Sequence, residues 1–230
     1  MNNPIRTAGI SQKKVLEFIR PFRKQYGLVS LDTRRTMDGV DVFIYNAGLG
    51  QREYKRVFAD VKEALSRYVF GFGDDTLRDA ICRILIKSRK RLAIAESLTG
   101  GRVSDRLTDV PGSSKFFMLS VIAYSNESKI KLLGVPKEVI RRWGAVSRRT
   151  CGKMMEGLST LGDFHFKIAV TGTAGPTGGT PKKPVGTVYV GIQDDEATLI
   201  KKFRFTGTRS HIKERTCAAV MQLLWKRLIG

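Results

Sequence analysis

The stretch from Arg91 to Val110 constrains the fold most. A short apolar run, Arg91-Leu-Ala-Ile-Ala95, is followed by Glu96-Ser97-Leu98-Thr99-Gly100-Gly101 and then by Arg102–Val110. The run reads as a buried strand and the last segment as a helix. Paired glycines between them let the backbone turn sharply and bare its N–H groups. A buried strand that turns directly into a helix belongs in a layered α/β architecture. The hydroxyl of Ser97 sits at that turn and admits two readings. It is an N-cap, or it is an exposed nucleophile with anion-stabilising amides beside it.

The rest of the chain extends this pattern. Residues 12–26 read as a helix with Val15, Leu16, Phe18, Ile19 and Phe22 as its apolar side, closed by Gly27. Residues 28–33 and 40–46 read as strands joined by a turn at Asp38-Gly39, and 51–68 as a second helix. Gly71-Phe-Gly73 breaks the pattern, so a boundary is placed there: residues 1–72 form a small α+β domain and 73–230 a second one. In the second, helix 75–88 leads to strand 91–96 and helix 100–108. A buried strand over 116–124 follows, then helices near 126–133, 136–142 and 147–161. Strands over 167–171, 187–193 and 198–205 precede a long helix over 209–228. This order predicts a layered α/β/α domain with a mixed sheet.

No apolar run is long enough to span a bilayer, and the N-terminus lacks the apolar core of a signal peptide. Three scattered cysteines, Cys82, Cys151 and Cys217, suit a reducing compartment, so a cytoplasmic location is expected. Two histidines and no clustered ligands argue against a metal site, and no cofactor is expected. Net charge is +20. Residues 77–230 carry 28 lysines and arginines against 12 acidic residues, a net of +16. That suggests anionic partners, either small molecules or polyanions.

Four clusters carry candidate chemistry. Ser97 is the first. The second is Tyr124-Ser-Asn-Glu-Ser-Lys129, with Tyr124 at a strand end and Lys129 on the first turn of a helix. A Ser-Lys-Tyr set can cleave an amide without histidine: a neutral lysine takes the serine proton and passes one to the leaving amine. This requires a lysine pKa lowered by burial or by neighbouring positive charge. The competing reading is a solvated lysine and an ordinary strand-end tyrosine. The third cluster is Thr171-Gly172-Thr173-Ala174-Gly175, opening a glycine-rich loop at a strand's end. It is either an anion cradle or a tight turn, and it fits no GxxxxGK[ST] or GxGxxG signature. The fourth is Arg209 at the start of the last helix, placed for a phosphate or carboxylate or simply a surface arginine. Ser147 reads as a helix cap.

Six motifs then occur in order: Ala-Glu-Ser-x-Thr-Gly-Gly, Val-Pro-Gly-Ser-Ser, Tyr-Ser-Asn-Glu-x-Lys, Gly-Ala-Val-Ser, Thr-Gly-x-Ala-Gly-Pro-x-Gly-Gly and Pro-Val-Gly-Thr-Val. Together, from about residue 72 onward, they resemble the C-terminal domain of the competence/damage-inducible CinA family, the PncC type of nicotinamide-nucleotide amidohydrolase. The resemblance implies hydrolysis of the carboxamide of nicotinamide mononucleotide to nicotinate mononucleotide and ammonia. It maps the catalytic positions onto Ser97, Tyr124 and Lys129. It places substrate against Thr99, Gly100, Gly101, Thr171, Gly172, Thr173, Ala174, Gly175 and Arg209. The chain departs from the family pattern at Leu98, Thr173 and Trp143, none of them a catalytic position. Residues 1–70 resemble the family's KH-like middle domain. Their Ala47-Gly-Leu-Gly50 is not the GXXG loop that clamps nucleic acid, so binding of nucleic acid by this segment is not favoured. A homodimer is expected, and no membrane partner. The alternative function is an inactive basic module that binds nucleic acid or another polyanion.

Overall fold

A computed structural model describes residues 3–27, 29–46, 48 and 50–230. The chain forms two compact units: one runs to Ile81 and includes 221–230, and the other comprises 82–220.

The first unit contains β1 (Ile5–Thr7), α1 (Gln12–Gln25), β2 (Val29–Arg35), β3 (Val40–Asn46), α2 (Gln51–Ala64) and β4 (Val69–Phe72). The predicted helix-strand-strand-helix core is therefore framed by two further short strands. The sheet order is β2-β3-β1-β4, antiparallel throughout, as in a split βαβ arrangement. Val15, Ile19, Val57 and Val61 pack on Ile5, Leu31, Val42 and Ile44. Leu16 and Phe18, expected on the apolar side of α1, are exposed instead. The helix ends at Tyr26, whose N–H reaches Phe22 O at 2.9 Å, and Gly27 is not left-handed. The β2–β3 turn needs its glycine. A Cβ on Gly39 would lie 2.0 Å from Thr7 O, at a φ of +156°. The predicted Ala47–Gly50 loop has Ala47 and Leu49 outside the described residues.

The second sheet has the order β6-β5-β7-β8-β9. Its strands are β5 (Leu92–Glu96), β6 (Phe117–Ile122), β7 (Phe166–Gly172), β8 (Thr187–Gln193) and β9 (Thr198–Arg204). β5 pairs in parallel with β6 and β7, while β8 runs antiparallel to both of its neighbours, β7 and β9, so the sheet is mixed as predicted. Its helices are α3 (Leu77–Ser88, shared with the first unit), α4 (Arg102–Thr108), α5 (Asn126–Leu133), α6 (Lys137–Trp143), α7 (Arg148–Leu158) and α8 (Arg209–Leu228, also shared).

Strand alternation assigns the helices to layers. Ala93, Ala95 and Ala169 face Cys151, Met154, Met155 and Leu158 of α7 and Leu133 of α5. Small strand residues let α7 sit close: its Cys151 Sγ lies 3.4 Å from Ala169 O. Ile94 and Glu96 face the other way. There Glu96 meets α4, which ion-pairs with α8 through Arg102 and Arg106 to Glu214. β6 is an edge strand and not the buried strand expected, with Met118 and Ile122 exposed.

Candidate active site

The site lies beyond the C-terminal end of β5, where open α/β sheets place ligands. Its geometry begins with Glu96, a residue to which the sequence reading gave no role. The carboxylate is fully buried and accepts from Gly101 N (3.0 Å), Val103 N (3.3 Å) and Ser104 N (2.8 Å). Ser104 Oγ adds a fourth contact at 2.5 Å and also lies 2.7 Å from Ser120 Oγ. The Glu96 carboxyl thus caps the first turn of α4, accepting from the amides that a helix start leaves without partners. Gly100 and Gly101 are left-handed, at φ +60° and +90°, and let the chain return over that carboxylate. The turn that carries Ser97 is fixed from beneath.

Ser97 points to the opposite face, toward α5. Its Oγ lies 3.1 Å from Nζ of Lys129, whose side chain is 1% exposed. The amine also donates to Ala123 O (2.8 Å), Tyr124 O (3.2 Å) and Ser125 O (3.4 Å). A capping box aims these carbonyls: Ser125 Oγ accepts from Ser128 N and Ser128 Oγ from Ser125 N, each at 2.9 Å. Burial lowers the Lys129 pKa to about 8. A neutral amine has two N–H bonds and one lone pair. With two hydrogens on the nearest carbonyls, that lone pair is left for the Ser97 hydroxyl. No acceptor among the described residues takes the N–H of Leu98 or Thr99, the two residues that follow Ser97. The Thr99 hydroxyl is buried without a partner.

The remaining predicted residues are placed less uniformly. Tyr124 is 58% exposed, and its hydroxyl is not bonded to Ser97 or Lys129; it accepts from Arg209 Nη2 at 2.6 Å. Only its backbone carbonyl reaches the lysine. Arg209 also donates to Gly175 O at 2.8 Å, tying α8 to the loop after β7. Thr171 is buried and donates from Oγ1 to Ala145 O at 2.8 Å. Thr173 continues the hairpin, its N–H on Thr187 O and its carbonyl on Gly186 N. Gly172 packs against the backbone of residues 187 and 188, and Ala174 is buried. The start of this loop, Gly175 included, is therefore engaged within the protein, and of these residues Arg209 is the exposed one. Ser147 is the N-cap of α7, as expected. No cluster of three or more potential metal ligands occurs among the described residues, and no helix there is long and apolar enough to cross a membrane.

Comparison with known proteins gives the same framework. The family model for the CinA C-terminal domain matches residues 74–228. A CinA-like protein from Endomicrobium trichonymphae is 38% identical over all of this chain, which covers 56% of that relative. The chain spans about half the length of the curated full-length relatives it matches. A competence-damaged protein (CinA) superfamily structure from Klebsiella pneumoniae superposes with a TM-score of 0.64 at 31% identity, covering 66% of this chain and 95% of that one. The competence/damage-inducible protein from Agrobacterium tumefaciens superposes at 0.63 and 31% identity, covering 68% and 98%. With a family match over two thirds of its length, and with these structural neighbours, the chain belongs to the CinA family.

Proposed function

We propose that the protein is a serine amidohydrolase that converts nicotinamide mononucleotide to nicotinate mononucleotide and ammonia. The observation that carries this reading is the buried Lys129 amine 3.1 Å from the Ser97 hydroxyl. A structural lysine gains nothing from desolvation on this scale, whereas a general base requires it.

The steps balance as follows. Lys129 Nζ takes the proton as Ser97 Oγ bonds to the carboxamide carbon. The negative oxygen that forms is held by the amides of Leu98 and Thr99. Lys129 then protonates the departing nitrogen, the C–N bond breaks, and ammonia leaves an ester on Ser97. Water attacks the ester, giving its proton to Lys129, which returns it to Oγ as the acid is released. The exposed Arg209 guanidinium, which holds the Tyr124 phenol and the Gly175 carbonyl, suits the substrate's anionic portion.

The test is ammonia release from nicotinamide mononucleotide by the purified protein. Ser97→Ala and Lys129→Met are expected to lose turnover by at least about a thousandfold while retaining cooperative unfolding. Turnover by Ser97→Ala within tenfold of the parent would remove Ser97 as nucleophile.

A further inference from the structure

The positive charge of this protein has a location that the chemistry at Ser97 does not use. Trp143, at the end of α6, is 43% exposed. The guanidinium carbons of Arg142 and Arg149 lie 5.2 and 5.7 Å from its ring centroid. Lys183, from the loop between β7 and β8, donates to Trp143 O at 2.5 Å. Burial and the nearby Lys202 both lower the Lys183 pKa, which marks these cations as crowded together. Lys202 and Arg204 share a face of β9 with Ile200, which packs on α7, and Arg148 at the start of α7 donates to Ile200 O at 2.6 Å. Among the described residues, Arg142, Arg149, Lys183 and Lys202 pair with no carboxylate.

We propose that this face binds single-stranded nucleic acid, with Trp143 as a stacking platform and Arg142, Arg149, Lys183, Lys202 and Arg204 on the phosphates. Unpaired cations around an exposed indole have the chemistry of such grooves. Their spread over α6, α7, a loop and an edge strand calls for several phosphates along a chain, not one. An indole stacks on a base only where the base face is open, which favours single strands over duplex. A base that stacks on Trp143 replaces one guanidinium and frees it for phosphate.

The test uses the whole chain and a fluorescein-labelled oligo(dT) of about 20 nucleotides. Anisotropy is expected to report binding that weakens about 130-fold between about 50 and 200 mM salt, as for five neutralised phosphates. Tryptophan fluorescence is expected to quench, and the other tryptophan, Trp225, is buried. Trp143→Ala should weaken binding by about five- to 150-fold, and Trp143→Phe should restore most of it. Arg142→Gln with Arg149→Gln should flatten the log-log salt slope by about 1.4. Ser97→Ala should bind as the parent does, which separates this surface from the proposed reaction. Absence of binding at low salt, equal affinity for duplex of the same length, or a Trp143→Ala protein that binds unchanged would each overturn the proposal.

Discussion

If Lys129 is the base, the pH dependence of turnover is set by its burial. Lys129 is 1% exposed, and desolvation brings its pKa to about 8. At pH 7 about a tenth of the molecules then hold the neutral form, at pH 8 half, and at pH 9 about nine tenths. An ordinary lysine near 10.4 would be neutral in fewer than about one molecule in a thousand at pH 7. The kcat/KM for nicotinamide mononucleotide should therefore rise about fivefold from pH 7 to pH 8, less than twofold more to pH 9, and then level off. The assay is ammonia release under substrate-limited conditions in buffers of constant ionic strength. Lys129→Arg, charged at every accessible pH, should be inactive across the whole range. A flat profile from pH 6.5 to 9.5, or one that falls as pH rises, would refute the assignment of Lys129 as general base.

The same burial affects stability with a definite sign. Between about pH 8 and 10.5 the unfolded chain holds the Lys129 proton and the folded one does not, so this group's contribution to stability rises with pH there; below pH 8 its full penalty is present. Urea unfolding at pH 7 and 9 should show the parent gaining about 1 kcal/mol more than Lys129→Met over that step; equal gains would contradict it. Glu96→Gln places an amide nitrogen among four donors and should cost about 2–3 kcal/mol, with a drop in turnover because the Ser97 turn loses its anchor; an unchanged melting temperature would refute that role. Gly157→Ala, in α7, would ordinarily favour a helix by about 0.5–1 kcal/mol. Here the new Cβ would stand 2.0 Å from Leu133 O of α5, so urea titration should show a net loss of about 1–2 kcal/mol; a gain would mean that the two helices separate freely.

Legibility followed the range of the forces involved. The bounds of α8 and β8 are those predicted, because a 20-residue amphipathic pattern and an alternating Thr-Val-Tyr-Val run are local signals. β1 and β4 left no such signal. Three and four residues are too few to show a period, and Gly71 interrupts the second; they exist because each pairs with a strand distant in sequence. The helix predicted to Tyr68 stops at Ala64, and a 3₁₀ turn occupies 66–68. Ser97 and Lys129 were legible as residue types. Their 3.1 Å approach and the three carbonyls around Nζ depend on β5 and β6 being neighbours, which 32 residues of separation do not reveal. Tyr124 was placed at the end of a buried strand, but β6 is an edge, and its phenol goes to an arginine 85 residues away.

Glu96 is the clearest case of a role hidden in plain sequence. An acidic residue ending the run Leu-Ala-Ile-Ala reads as the place where a strand reaches water, yet it is fully buried. The signal was available in the residues that follow: two glycines to reverse the chain, and Ser104 eight positions on, where a returning helix presents its first amides. Alternation along β5 then divides the work between adjacent residues. Ala95 and Ser97 face the α5–α7 layer, while Glu96 faces α4. The carboxylate holds the turn from one side of the sheet, and the hydroxyl meets its base on the other. A one-residue slip in the register of β5 would exchange the two, placing a carboxylate against the Lys129 amine and a hydroxyl under α4. A carboxylate there would favour the protonated lysine and abolish the free base that the proposed chemistry needs. The parity of this strand, set by the small alanines that α7 packs against, therefore determines whether the site can work.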